Sequence, residues 1–211
     1  MEIPLQDSFL KIASILNSMH LKGMWSNDVY PMVSLPFLDW FNSYEFSDWD
    51  MIEFGAGNST IYFSSKTKNY TSIENDIVYY DYIMSKVKNV NMQLVTLEDI
   101  ENGNYDITIT EKTIVFIDNN GNRLKTTKSL ISKGKPNIIF VDNSEWFPNQ
   151  CNFLYESGYI EIPFWGIRFE EFQDKCTSIF IKDGFKLPKK NYKYFNPGSF
   201  PAQEHHNNND K

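Results

Sequence analysis

Apolar residues in this chain gather in short runs, and most of the segments between those runs carry helical spacing. The runs Met51–Phe54, Tyr70–Ile73, Met92–Val95, Thr113–Ile117, Ile138–Val141, Tyr159–Ile162 and Thr177–Ile181 suit buried strands. Helix-like segments separate the earlier ones at Ser59–Ser65, Asp76–Val87, Leu124–Ser132 and Asn149–Ser157. Strands alternating with helices require crossover connections, hence a parallel sheet covered on both faces. The last two runs have no helix between them and predict an antiparallel hairpin at the sheet edge. Ahead of the first run, Leu5–Met19 places Phe9, Ile12, Ile15, Leu16 and Met19 on one helical face, and Ser34–Tyr44 predicts a second helix. Beyond Gly184 the chain turns polar and rich in Pro, Lys and Asn. The expected organisation is an N-terminal helical segment (1–45) belonging to the same domain, a core (46–184) and a loosely draped tail (185–211). The fold class is α/β, with a doubly wound, mostly parallel seven-stranded sheet.

Composition narrows the function more than the fold. A chain of 211 residues with 41% hydrophobic content can bury a sizeable core. Its net charge of −7 opposes a nucleic-acid groove, which needs a basic field, although a local patch near Lys186–Lys193 remains. Two cysteines, Cys151 and Cys176, are too few for a disulfide framework and too isolated for a zinc site. The N-terminus lacks the basic-then-apolar pattern of a secretory signal, and no apolar run is long enough for a membrane span, so the cytoplasm is the expected location.

The first strand runs into Glu53-Phe54-Gly55-Ala56-Gly57-Asn58-Ser59-Thr60, where it should turn into a helix. Glycine removes the Cβ atoms that obstruct a tight turn or a closely approaching ligand, and open α/β sheets bind ligands at the carboxyl ends of their strands. In the dinucleotide fingerprint the last position is a third glycine; here it is Thr60. The acidic Glu53 also suits a cationic ligand better than a pyrophosphate. The second strand ends in Ile73-Glu74-Asn75-Asp76, and a carboxylate there can accept the two hydroxyls of an adenosine ribose. The same residues also permit a plainer reading, in which the glycines only shape a loop and Glu74 caps the next helix.

Glu53 to Thr60, followed by Ser72-Ile73-Glu74-Asn75-Asp76, resembles class I S-adenosylmethionine-dependent methyltransferases. It looks most like a bacterial branch reading E-[WF]-G-x-G-x-S-T with a later S-[IV]-E-x-D. The similarity continues through Ile117-Asp118, Val141 to Trp146 and Cys176 to Phe180. It departs at Asn75, where histidine is frequent, and at Asn119-Asn120-Gly121-Asn122, where a shorter Asp-Gly turn is usual. The resemblance implies a Rossmann-like fold, S-adenosylmethionine as methyl donor, and cofactor contacts from Glu53, Gly55, Gly57, Asn58, Ser59, Thr60, Glu74, Asn75 and Asp118.

Two further strands end in acids, at Asp118 and at Asp142-Asn143. Asp118, Asp142 and Asn143 offer three hard oxygen ligands of the kind Mg²⁺ accepts, similar to the metal set of catechol-type O-methyltransferases. The competing expectation is that Asp and Asn at strand ends cap the following turn. Without a metal, Asp142 or Glu145 is the candidate general base. Trp146 and Trp165 are candidates for the acceptor wall, with core packing the alternative. Histidine occurs only at His20, His205 and His206, away from the strand ends, which disfavours a serine hydrolase triad or a histidine zinc site. The expected function is methyl transfer to a small-molecule acceptor, a hydroxyl of a sugar or metabolite. The alternative is a noncatalytic protein of the same fold that binds the cofactor or a partner.

Overall fold

The computed structural model describes residues 29–168 and 171–189; the helix expected over Leu5–Met19 and most of the expected tail lie outside them. In chain order the elements are α1 (Leu35–Asn42), β1 (Asp50–Phe54), α2 (Asn58–Ser64), β2 (Asn69–Glu74), α3 (Ile77–Met84) and β3 (Val90–Leu94). They continue with α4 (Leu97–Asn102), β4 (Thr113–Ile117), α5 (Arg123–Lys133), β5 (Ile138–Asp142), a 3-10 turn (Ser144–Trp146), α6 (Pro148–Glu156), β6 (Tyr159–Arg168) and β7 (Glu171–Lys182).

The seven strands form one sheet in the order β3-β2-β1-β4-β5-β7-β6. β1 pairs in parallel with β2 and β4, with Glu53 opposite Ser72 on one side and Phe116 on the other. The chain therefore winds outward from the centre in both directions and reverses between β1 and β4, where crossovers leave a crevice above the strand ends. Only β7 runs antiparallel, between β5 and β6. The doubly wound sheet and its edge hairpin match the sequence expectation.

Alternation along the central strands divides the interior into two cores. Met51, Ile114, Phe116, Ile138 and Phe140 face one side, packed with Phe37 and Phe41 of α1 and Phe63 of α2. Ile52, Phe54, Val115, Ile117, Ile139 and Val141 face the other, under Ile100 of α4, Leu130 of α5 and Leu154 of α6. The first core is strongly aromatic: the Phe37 and Phe140 rings meet edge to face at 4.9 Å, and Phe41 and Phe63 lie 4.7 Å apart. Much of the aromatic content is thus spent on packing α1 against the sheet. Phe185 and Leu187 join the same core, with Phe185 against Trp49 at 5.9 Å.

Four elements differ from the sequence reading, β7 among them, since it begins at Glu171 and not at Thr177. α4 was not expected, being little more than a turn and carrying one buried side chain, Ile100. Its signal was local: Thr96 accepts the Asp99 amide while Asp99 faces back to Thr96, a reciprocal cap. The 3-10 turn at Ser144–Trp146 was likewise absent from the reading. β6 also continues beyond Ile162 to Arg168, through Pro163 and Gly166, residues that normally argue against a strand. They are tolerated because β6 is an edge strand, bonded only to β7 within the sheet.

Phe140 is fully buried between α1 and the sheet. Phe140→Ala should lower unfolding free energy by about 3–5 kcal/mol, read as a shifted urea midpoint with an unchanged slope.

Candidate functional site

The carboxyl ends of β1, β2, β4 and β5 surround a cavity of about 510 Å³, within the roughly 300–1,000 Å³ range of small-molecule sites. Its wall includes Gly55 to Ser59, Glu74, Asp76, Tyr79, Tyr82, Asp118, Arg123, Asn143 and Trp146. A larger groove of about 820 Å³ lies at the opposite end of the sheet, lined by Lys112, Lys133, Lys135 and Lys182 among others. The smaller cavity is the better site because the crossovers open the sheet there and every glycine-turn residue from Gly55 to Ser59 faces it.

The two glycines of the turn do different things. Gly55 has φ +94°, and a Cβ there would stand 2.9 Å from the Asp118 backbone. That glycine lets the ends of β1 and β4 close together, and the Asp118 amide donates to the Phe54 carbonyl at 2.9 Å. Gly57 is extended, and a Cβ on it would meet nothing closer than the Ser59 hydroxyl at 3.8 Å. Its missing side chain leaves space in the cavity wall.

Glu53 does not face the cavity, contrary to the expectation of a carboxylate beside a cationic ligand. It is fully buried under the turn and accepts from the hydroxyls of Ser59, Thr60 (2.5 Å) and Ser72 (3.2 Å). Thr60 also accepts from the Gly57 amide at 3.0 Å. The E-x-x-x-x-x-S-T pattern is therefore an internal clamp: the carboxylate pins the first turn of α2 to β1 and β2. Burial raises the Glu53 pKa to about 7 despite the hydroxyl bonds that lower it.

Glu74 sits where the reading placed it, at the end of β2 on the cavity wall. One oxygen accepts from the Ala56 amide at 2.6 Å, and the other from the amides of Asn75 and Asp76 at 2.7 Å each. Helix α3 is capped by Asp76, whose carboxylate accepts from the Val78 amide at 2.8 Å, so Glu74 is not the cap. Of the other expected contacts, Asn58, Ser59 and Asp118 line the cavity, whereas Thr60 and Asn75 do not.

The expected metal set does not form. Arg123 donates to the Asp118 carboxylate at 2.7 Å. Asp142 accepts from the Thr177 hydroxyl at 2.7 Å and faces Arg168 at 3.5 Å. The guanidinium groups bring the positive charge a divalent cation would supply, and among the described residues no three His, Cys, Asp or Glu side chains could hold a metal. Asp118 and Asp142 are instead held in an arginine-bridged network at the strand ends, which Asn143 follows in the chain without a bond to either arginine.

The candidate bases also lie off the cavity wall. Asp142 is buried and its pKa is raised to about 8, first by desolvation and then by nearby Asp118. Glu145 accepts from the Cys176 amide at 3.2 Å. Both carboxylates are turned into the protein's own hydrogen bonds. Trp146 does line the cavity, with the Lys175 ammonium 4.1 Å from its ring centre. Trp165 does not.

The sequence reading missed Arg123, Tyr79 and Tyr82. Arg123 donates to the Asn119 carbonyl (2.8 Å), the Asp142 carbonyl (2.5 Å) and Asp118, and stacks 4.4 Å from the Phe147 ring centre. A signal existed: a cation in the first turn of a helix opposes the helix dipole and calls for a compensating anion. Tyr79 and Tyr82 stand three residues apart on α3, which places them on one face.

No family model matches the chain, and no curated protein does. Solved structures do. A precorrin-6y C5,15-methyltransferase from Geobacter metallireducens is 15% identical with a TM-score of 0.53, covering 73% of this chain and all 100% of that one. An O-methyltransferase from Bacillus cereus in complex with SAH is 15% identical, TM-score 0.52, covering 86% and 92%. A TehB-like SAM-dependent methyltransferase from Corynebacterium glutamicum is 11% identical, TM-score 0.52, covering 84% and 100%.

Two measurements check the site's construction. Gly55→Ala should cost about 2 kcal/mol or more, from backbone strain and the contact with Asp118, while Gly57→Ala stays near wild-type stability; chemical denaturation separates them. For Glu53, the folded pKa of about 7 exceeds the ordinary 4.5, so the folded state binds more protons between these values. That stabilising contribution is complete at low pH and is lost as pH rises through 7. Glu53→Gln should remove on the order of 1–3 kcal/mol of the stability difference between about pH 5 and about pH 8.

From the strand order, the crevice between β1 and β4 and the structural matches together, the chain has the Rossmann-like fold of S-adenosylmethionine-dependent methyltransferases.

Proposed function

We propose that this protein is an S-adenosylmethionine-dependent methyltransferase acting on a hydroxyl of a small-molecule acceptor. The observation that carries this reading is Glu74 on the cavity wall at the end of β2, one strand from a glycine turn whose Gly57 leaves open space. The Glu74 oxygen that accepts only the Ala56 amide keeps a lone pair beyond that bond, so a ribose hydroxyl can donate to it. Tyr79 and Tyr82 supply aromatic surface beside it for a purine. The acidic residues Glu74 and Asp76 face the same space and favour a ligand carrying a sulfonium and an ammonium. A Mg²⁺ ion has no place in this reading, because arginines already neutralise the acids a metal would use.

When bound, S-adenosylmethionine supplies an already activated methyl group, so the protein's task is alignment more than covalent chemistry. The turn from Gly55 to Ser59 and Glu74 would orient the donor from one side. Asn143 and Trp146, on the β5 side, would orient the acceptor. The acceptor proton would leave to solvent water, since neither Asp142 nor Glu145 lines the cavity. The acidic balance of the chain favours a small acceptor over a nucleic acid. Among the described residues no helix is long and apolar enough to cross a membrane, and a cytoplasmic location is the natural setting for this chemistry.

Calorimetric titration with S-adenosylhomocysteine should give one site per chain. Glu74→Ala and Gly57→Arg should each weaken binding at least tenfold, the first by removing the ribose acceptor and the second by filling the space. Chelator should leave the affinity unchanged. Titration of the wild-type protein without heat or saturation would overturn the reading.

A further inference from the structure

Helix α3 presents an apolar surface to solvent. Of eleven exposed large hydrophobic side chains among the described residues, five lie on this eight-residue helix: Ile77, Val78, Tyr79, Tyr82 and Met84. Its one buried side chain is Ile83. Val78, which is 71% exposed, and Tyr82 stand four residues apart and form one ridge on the outer face. Contiguous exposed apolar patches of this kind mark docking sites. Tyr79 and Tyr82 also line the cavity, but Ile77, Val78 and Met84 do not. A ligand in the crevice therefore leaves the outer ridge bare.

The course of the chain points to what covers that ridge. Ser34 bridges to Arg168 at the end of β6. Backward from there, Val33 and Met32 line the cavity, and Tyr30 rests on Tyr62 of α2 with ring centres 6.1 Å apart. Toward its N-terminus the backbone thus crosses from the β6 edge to α2. Successive right-handed crossovers, β1 to β2 and β2 to β3, place α2 and α3 side by side on one face of the sheet. The 28 residues ahead of Val29 therefore depart close to α3. Among them Leu5, Phe9, Ile12, Leu16 and Met19 recur at intervals of four and three, which makes one apolar seam on a helix. The link from Met19 to Val29 can reach about 30 Å when extended, and neighbouring helices need only about 10 Å. The other exposed apolar side chains of any cluster, Tyr155, Ile160, Ile162 and Trp165, belong to α6 and β6, the edge from which the chain runs away.

Five side chains make a patch on the order of a few hundred Å², below the roughly 800 Å² per partner of a stable interface between separate chains. A segment of the same chain needs less area, because its tether supplies a high effective concentration. We propose that the outer ridge of α3 is the docking site of the chain's own Leu5–Met19 segment, whose apolar seam packs as a helix across Ile77, Val78, Tyr82 and Met84. Asp81, exposed on the same face of α3, has a counterpart in Lys11, between Phe9 and Ile12. Docking covers the outer side of Tyr82, whose other side borders the cavity. It does not depend on which ligand the crevice holds.

The test uses the full chain and hydrogen exchange read by mass spectrometry. In the wild type the amides of residues 5–19 should be protected at low micromolar concentration, and equally so after tenfold dilution. Val78→Asp should speed their exchange at least tenfold while the β1 and β4 amides stay protected. Leu16→Asp, on the segment itself, should do the same. With benzoylphenylalanine in place of Val78, irradiation should join position 78 to residues 5–19 of the same molecule. In an equal mixture of unlabelled and isotope-labelled chains, such products carry a single label. The proposal is overturned if residues 5–19 exchange at the unstructured rate in the wild type, or if Leu16→Asp leaves their protection intact. Mixed-label products would make a second copy the occupant, and cross-links that miss residues 5–19 would leave the ridge to another partner; either overturns it. Val78→Asp with unchanged protection overturns it as well. Should Val78→Asp also expose β4, the fold itself has failed and Leu16→Asp decides.

Discussion

Arg123 is a buried cation placed where two strands end in acids. Asp118 and Asp142 follow one another on adjacent strands; burial raises the pKa of both carboxyls, and the Asp118 charge raises that of Asp142 further. The guanidinium enters between them, bonded to the Asp118 carboxylate and to the Asp142 carbonyl, with Arg168 facing the Asp142 carboxylate from the other side. Without that cation the ends of β4 and β5 would carry uncompensated buried charge, which is costly enough to splay them. The crevice depends on their staying together: Gly55 can pack against Asp118 only while β4 holds its position, and Asn143 follows directly from Asp142.

The glycine turn is supported in the same way, from below. The Glu53 carboxylate gathers the hydroxyls of Ser59, Thr60 and Ser72 and fixes the first turn of α2 against β1 and β2. A buried acid with three hydroxyl donors is a precise fastener, because each hydroxyl has a single proton to give and must point at it. Two polar devices therefore support the site: the Glu53 clamp, buried under the turn, and Arg123, which bridges the strand ends while also reaching the cavity wall. The cavity is faced by the glycine turn, Glu74, Asp76, the α3 tyrosines, Asp118, Arg123 and the Asn143–Trp146 corner.

Motif residues are poor guides to ligand contact. Glu53, Ser59 and Thr60 carry the resemblance, yet the hydroxyls of Ser59 and Thr60 both donate to the Glu53 carboxylate. Asp142, the leading candidate for chemistry, spends its carboxylate on Thr177 and Arg168. Spacing in a sequence reports that residues belong together; it does not report which way a carboxylate turns at a strand end.

The sequence alone determined the seven strands, the order of most helices and the crevice at the β1 turn, because these follow from local periodicity and from the obligation to bury apolar faces. It located Glu74 for the same reason: a strand end in a parallel sheet has only one place to go. α4 escaped because six residues with one buried side chain leave almost no periodic signal. The full length of β6 escaped because Pro163 and Gly166 are acceptable only at a sheet edge. Tertiary structure decided the rest. Whether Asp118 and Asp142 meet a metal or an arginine depends on residues brought together from distant parts of the chain: Arg123, Arg168 and Thr177. Electrostatic neutralisation is a property of that assembled neighbourhood, and no local pattern of residues encodes it.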